Sequence, residues 1–274
     1  MLNIVKSLLF RLKKAKLFWI MLGVCAFLPV LVSLLYHFML EIVEIFVDLP
    51  VDAGMEATTY LSLTSLASLS SDVNLFVLLC VSIFLCKEFT DGTIRNALLS
   101  NKSRWQLYSA YGVTSLIIGG SYLIVYFVST LLALGIPFGF GDVTPNQAVS
   151  ACLCSLLLGI LSMLVVVSCV LLFLFLTGKQ AASIVLPILI TMFLPSIAAS
   201  AVELVSTLVM LVQMGGQWMD VNIDYSWVPL YNAFMYDSMN LDGALVAKIS
   251  MYYVAFTGLF VWLGSLSARK RDLK

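Results

Sequence analysis

The chain has 274 residues, 61% of them apolar and 11% charged, and a formal net charge of zero. A water-soluble fold of this length could not cover so much apolar side chain with so little polar surface, since soluble domains carry about a quarter charged residues. Lipid is therefore the main solvent, and zero net charge supplies no field that would draw in a nucleic acid.

The N-terminus is basic and reads as helix. Ile4, Leu8, Leu12 and Ala15 recur at helical spacing, with Lys6, Arg11, Lys13, Lys14 and Lys16 as polar neighbours. This suits either a short amphipathic helix lying in the membrane interface or a basic flank that only sets orientation. Six segments then reach or approach the ~20 apolar residues that cross a hydrocarbon core. They are 17–40, 66–86, 106–134, 148–176, 181–201 and 244–266. The first is longer than a signal-peptide core, and no small-residue cleavage site follows it. The second reaches spanning length only through the Ser/Thr-rich stretch 61–71, which is tolerable where a helix faces other helices. Pro29 lies within the first span and Pro187 and Pro195 within the fifth. Each predicts a kink, which is either a hinge or an ordinary feature of membrane helices.

Six spans put both termini on one side. Fourteen of the fifteen lysines and arginines then share that side, Lys248 being the exception, and twelve of the fifteen acids lie opposite. The positive-inside bias makes that side cytoplasmic, so the expectation is a multi-pass protein of the cell membrane with cytoplasmic N- and C-termini. On the outer side, 41–65 is acidic and hydroxyl-rich. The segment 202–243 combines a short apolar run, 204–212, with Trp218, Tyr225, Trp227, Tyr231 and Tyr236. Nine apolar residues are too few to span, and such aromatics settle at headgroup level, so short outer-leaflet helices are expected before the sixth span. No repeat or linker divides the chain, and the reading is one all-α polytopic membrane domain over residues 1–274.

Several chemistries are disfavoured. The six cysteines (Cys25, Cys80, Cys86, Cys152, Cys154, Cys169) lie in or beside apolar runs and read as buried thiols rather than disulfides or metal ligands. A single histidine, His37, leaves no metal-ligand cluster and no catalytic triad. The span centres hold no Asp, Glu, Lys or Arg, which argues against a proton relay. Gly178-Lys179-Gln180 lacks the upstream glycine and the hydroxyl residue of a phosphate-binding loop, so no cofactor is expected in this chain.

The cytoplasmic loop 87–105 carries the most specific signal. Ile94, Ala97 and Leu98 fall on one helical face, Asp91 and Arg95 form an acid-before-base pair at i, i+4, and Ser103 with Gln106 makes a capping box opening the third span. The residues Glu88, Phe89, Gly92, Thr93, Ile94, Arg95, Asn96, Leu98 and Ser100, followed by Ser103 and Arg104, resemble the signature of type-2 ABC transporter permeases, which lies between the second and third spans. The six-span layout, the N-terminal amphipathic helix and the outer helices before the last span are also similar to that family.

The resemblance implies a coupling helix that docks into a groove of a separate ATPase. Its contact residues would be Glu88, Phe89, Asp91, Gly92, Thr93, Ile94, Arg95, Asn96, Leu98, Ser100 and Arg104. Glu88 and Arg95 would make polar contacts, Gly92 would allow close approach, and Ile94 and Leu98 would be packed. Glu88 and Asp91 could equally cap the loop helix at its positive end. The resemblance further implies two ATPase copies carrying ATP and Mg²⁺, and a dimer with a second permease copy or a paralogue. A charge-free interior suits a hydrophobic or amphipathic cargo such as a peptide, antibiotic or lipid-like molecule. The readings from other classes are a secondary transporter or channel without an ATPase, or a non-transporting sensor or anchor subunit.

Overall fold

A computed structural model describes residues 2–47, 69–91, 103–135, 145–193, 197, 200 and 243–270. They are helical throughout, with no strand among the described residues. Helix α1 spans Leu2–Lys14 and α2 spans Lys16–Val47, the two separated at Ala15. Helix α3 is Leu69–Thr90 and α4 is Arg104–Thr130, the latter continued by a π-helical turn, Leu131–Gly135. Helix α5 is Pro145–Thr177, α6 is Gln180–Ile188 with a π-helical turn over Leu189–Phe193, and α7 is Gly243–Lys270.

Five stretches are long and apolar enough to cross a membrane: Lys16–Leu35, Val73–Thr90, Arg104–Ala133, Cys152–Thr177 and Val246–Ala268. They match five of the six expected spans. Of the remaining one, 181–201, the described part is a shorter apolar helix, Ala181–Thr191. Two boundaries differ from the sequence reading. Helix α2 runs on to Val47, because nothing in Glu41–Val47 breaks a helix. Helix α3 continues through Lys87, Glu88, Phe89 and Thr90, which the charge pattern had placed in the loop. Of the two segments expected on the outer side, residues 48–65 of 41–65 and residues 202–242 of 202–243 lie outside the described residues.

Burial separates central from peripheral helices. In the spanning windows, 67% of α5 and 61% of α3 is buried, against 17% of α2 and of α7. Helix α5 contacts α3, α4, α6 and α7, so it forms the axis of the bundle. The outward faces are apolar as well. Ile20, Phe27, Leu34 and Phe38 of α2, Ile124 and Val128 of α4, and Met251, Val254 and Trp262 of α7 are all exposed. A molecule apolar both inside and out is built for lipid, and the architecture fits a multi-pass membrane protein.

Within such a solvent each backbone polar group needs a partner inside the protein. Pro187 cannot donate to the carbonyl of Ser183, one turn back. The Ser82 hydroxyl of α3 donates to that carbonyl at 3.1 Å, and the Ser183 hydroxyl meets the Cys86 thiol at 2.7 Å. Pro29 similarly opens a turn of α2, and Ser129 donates to the adjacent Ala26 carbonyl at 2.5 Å. Ser33 donates to the Ala133 carbonyl in the π-helical turn that ends α4, at 2.7 Å. Buried hydroxyls elsewhere bond back along their own helix, as Thr114 does to Ala110, Ser115 to Tyr111 and Ser168 to Val165. Gly178, at φ 61°, turns α5 directly into α6, its N–H donating to the Leu174 carbonyl at 2.9 Å.

Two predictions come from this packing. Ser82→Ala leaves a buried carbonyl without its donor and should cost about 1–3 kcal/mol, read as a lowered thermal midpoint in detergent. Adjacent glycines should respond oppositely. A Cβ on Gly119 would collide with Met163 and lie 3.3 Å from Val77, whereas one on Gly120 meets nothing within 4 Å. Gly119→Val should therefore destabilise by about 1–3 kcal/mol, while Gly120→Val leaves the midpoint close to the parent's.

Candidate functional site

The end of α3 where the motif begins is a rigid construction. Glu88 lies in the last turn of the helix, 7% exposed, at a position where the carbonyl ends of the helix dipole disfavour an anion. Arg11 of α1 compensates. Its guanidinium donates to the Glu88 carboxylate at 2.6 Å, a charge-assisted hydrogen bond across 77 residues of sequence. Arg11 itself sits in the last turn of α1, where a cation suits the dipole. The phenol of Tyr111 on α4 lies within electrostatic range of both charges. Glu88 thus has a partner within the chain, in addition to whatever the loop meets outside it.

Phe89, next along, inserts into an aromatic cluster. Its ring stands edge-on to Phe175 of α5 at 5.4 Å and tilted against Tyr111 at 6.4 Å. Tyr108 packs edge-on to Phe175 at 5.2 Å and stacks on Trp105 at 5.8 Å. Such pairs contribute about 0.5–1.5 kcal/mol each beyond area burial. Helix α7 closes over the cluster at Gly264, where a Cβ would lie 2.5 Å from the Tyr108 hydroxyl oxygen. The last turn of α3 is therefore fastened to α1, α4 and α5 at once. Thr90 adds a bond from its hydroxyl to the Cys86 carbonyl at 2.9 Å, and the Asp91 N–H caps the Lys87 carbonyl at 2.9 Å.

The chain re-enters the bundle through an equally ordered start. Ser103 adopts an extended conformation before α4, and its hydroxyl accepts from the Gln106 N–H at 3.3 Å, as the capping pattern predicted. Arg104 is the first residue of α4. Of the proposed coupling residues, Glu88 and Phe89 occupy the last turn of α3, Asp91 the turn after it, and Arg104 the first turn of α4. Gly92, Thr93, Ile94, Arg95, Asn96, Leu98 and Ser100 lie outside the described residues. Glu88 is on the C-terminal turn of α3, and the loop helix that it and Asp91 were alternatively expected to cap lies outside the described residues.

Sequence reasoning missed Arg11, Tyr108, Tyr111, Phe175 and Gly264. Arg11 carried a readable signal. It falls three residues after Leu8 and seven after Ile4, on the edge of the stripe whose Ile4, Leu8 and Leu12 are buried in the main core. A cation on an apolar face calls for an acid among the neighbouring helices. That stripe is spent on protein, against α4, rather than laid on lipid. The four thiols Cys25, Cys80, Cys86 and Cys169 are buried, Cys152 and Cys154 are half-buried, and none is bridged. No group of three or more His, Cys, Asp or Glu that could hold a metal occurs among the described residues.

No family model, no curated protein and no solved structure matches the chain. The resemblance of the loop to the permease signature rests on its own residues.

The ion pair can be measured by a double-mutant cycle. Arg11→Ala leaves an almost buried carboxylate without its cation and should destabilise by about 1–3 kcal/mol. Adding Glu88→Gln removes the stranded charge, so the double variant should melt higher than Arg11→Ala alone. Equal melting of the two would mean that the unpaired carboxylate carries no penalty at this position.

Proposed function

We propose that this chain is the membrane-spanning permease subunit of an ATP-binding-cassette exporter, working with a separate ATPase. One observation carries the reading. The residues resembling the type-2 permease signature connect two helices, α3 and α4, that pack on each other and whose facing ends are fixed, one by the Arg11 pair and the aromatic cluster, the other by the Ser103 cap. A loop held this tightly at both ends transmits a push to the bundle instead of absorbing it. That is the mechanical requirement on an element that relays nucleotide-driven closure of a partner.

In this reading Ile94 and Leu98 supply the apolar contact with the ATPase and Arg95 a charge pair, while ATP and Mg²⁺ are held by the ATPase. Glu88 and Phe89 act one step behind, holding the loop to the bundle. Both termini and residues 91–103 face the cytoplasm. The cargo is hydrophobic or amphipathic, a peptide, antibiotic or lipid-like molecule, in keeping with spans whose centres carry no charge. Two permease copies, or this chain and a paralogue, form the pathway with two ATPases.

The test is association and coupling. The tagged chain, purified from its own cells in mild detergent, should bring down an ABC ATPase whose hydrolysis it stimulates. Arg95→Glu and Leu98→Asp should abolish that stimulation while leaving insertion and thermal midpoint unchanged. Losing one member of an interfacial charge pair costs about 2–5 kcal/mol, enough to empty the complex at ordinary concentrations. Asp224→Lys, expected on the opposite side, should spare it. Full stimulation in both loop variants would remove the loop from the mechanism and with it this reading.

A further inference from the structure

The N-terminal helix has a face that neither the bundle nor the proposed coupling uses. Ile4, Leu8 and Leu12 are buried in the core and Arg11 is bonded to Glu88. Lys6, Phe10, Lys13 and Lys14 remain outward on α1, followed by Lys16 and Trp19 in the first turn of α2. Phe10 is 61% and Trp19 54% exposed, an unusual disposition for large rings unless something apolar or amphipathic meets them.

These side chains form one assembly. The Lys14 ammonium stands over the Phe10 ring, 4.4 Å from its centroid. The Trp19 indole N–H donates to the Lys13 carbonyl at 2.9 Å, bridging the break between the two helices and fixing the ring beside the lysines. Lys13, Lys14 and Lys16 thus flank the break at Ala15 together with two aromatic rings. None of these lysines has an ion-pair partner among the described residues, and residues 1–40 contain no aspartate or glutamate. The described residues around the elbow thus present cations without acids.

The depth of the patch points to what meets it. By length and composition the spanning stretch of α2 begins at Lys16, and a hydrocarbon edge there would put Lys13, Lys14 and Lys16 within a turn of it and Trp19 about one turn inside. That is the layer of phosphate groups, where tryptophan settles with its ring in the acyl boundary and its N–H toward polar groups. We propose that Phe10, Lys13, Lys14, Lys16 and Trp19 form a docking site for anionic phospholipid headgroups. The lysines would hold the phosphates and the rings would lie among the glycerol and upper acyl carbons. The inference does not depend on the ATPase reading, since it uses only the elbow between α1 and α2. It does give that elbow a mechanical role, because the helix anchored to the headgroups is the one that holds Glu88.

The full chain can be reconstituted in nanodiscs of phosphatidylcholine alone or of phosphatidylcholine mixed with phosphatidylglycerol. Two quantities are read: the thermal midpoint, and the phosphatidylglycerol retained on the protein by native mass spectrometry. The midpoint should rise with phosphatidylglycerol, and the increment should shrink as added salt screens the lysines. Lys13→Gln, Lys14→Gln and Lys16→Gln should each lower the preference for phosphatidylglycerol over phosphatidylcholine about fivefold, and the triple variant should lose the midpoint increment. Should the triple variant fail to insert, the single variants and the salt response of the parent decide the matter. Retention that is unchanged in the single variants, or an increment that survives high salt intact, overturns the proposal. Unchanged lipid retention together with a weakened ATPase complex also overturns it, and would assign the lysines to a protein surface.

Discussion

In hydrocarbon there is no water to take up a stray carbonyl, and this governs which helices of the protein lie side by side. Prolines within α2 and α6 withdraw backbone donors, and beside each a serine from another helix donates to a carbonyl of the preceding turn. Ser82 reaches Ser183, and Ser129 reaches the turn before Pro29. These hydroxyl-to-carbonyl bonds name their partners: they pair α3 with α6 and α2 with α4, and apolar packing fills in the remainder. Dispersion among leucines and valines is strong in sum but has little directional preference. A serine that must find one particular carbonyl has far fewer acceptable registers.

At the end of the bundle where α3 closes, the same constraint acts on ions. A glutamate at the carbonyl end of a helix is doubly disfavoured, by burial and by the dipole, and Glu88 is kept there by Arg11. Removing Arg11 alone, which strands the buried carboxylate, is therefore worse than removing both. The pair brings the amphipathic α1 to the base of the loop, and the aromatic cluster of Phe89, Tyr108, Tyr111 and Phe175 locks the same turn to α4 and α5. The last turn of α3 is thus tied to three other helices.

The long apolar helices were legible because nothing but a membrane span explains twenty or more such residues, and α2, α4, α5 and α7 lie close to where hydropathy puts them. The end of α3 was misplaced by four residues for a definite reason: Lys87 and Glu88 look like loop residues until the cation that neutralises Glu88 is seen. Arg11 is 77 residues away, and single-sequence periodicity carries no information at that separation. The stripe of α1 was correctly located, but a stripe does not say whether protein or lipid covers it. Likewise the motif marks Phe89 but says nothing of the rings of Tyr111 and Phe175 that it meets inside the bundle. The capping serine was legible because a cap is local and needs only three residues.

Helix α3 also bears on how the chain is made. It is the second most buried of the spanning helices and carries Asn74, Ser82 and Glu88, groups that are buried only once α4, α5 and α6 are beside it. Yet it is synthesised before all of them. The last residue of α5 is added 87 residues after the last of α3, which at roughly 5–20 residues per second is a delay of about ten seconds. During that interval the helix has an amide, a hydroxyl and a carboxylate facing lipid or the insertion machinery, with only Arg11 already made to offset one of them. Biogenesis of this protein is therefore not a sequence of independent insertions. The third helix gains most of its neighbours only when α4, α5 and α6 have been made, and the early synthesis of α1 puts the partner of Glu88 in place first.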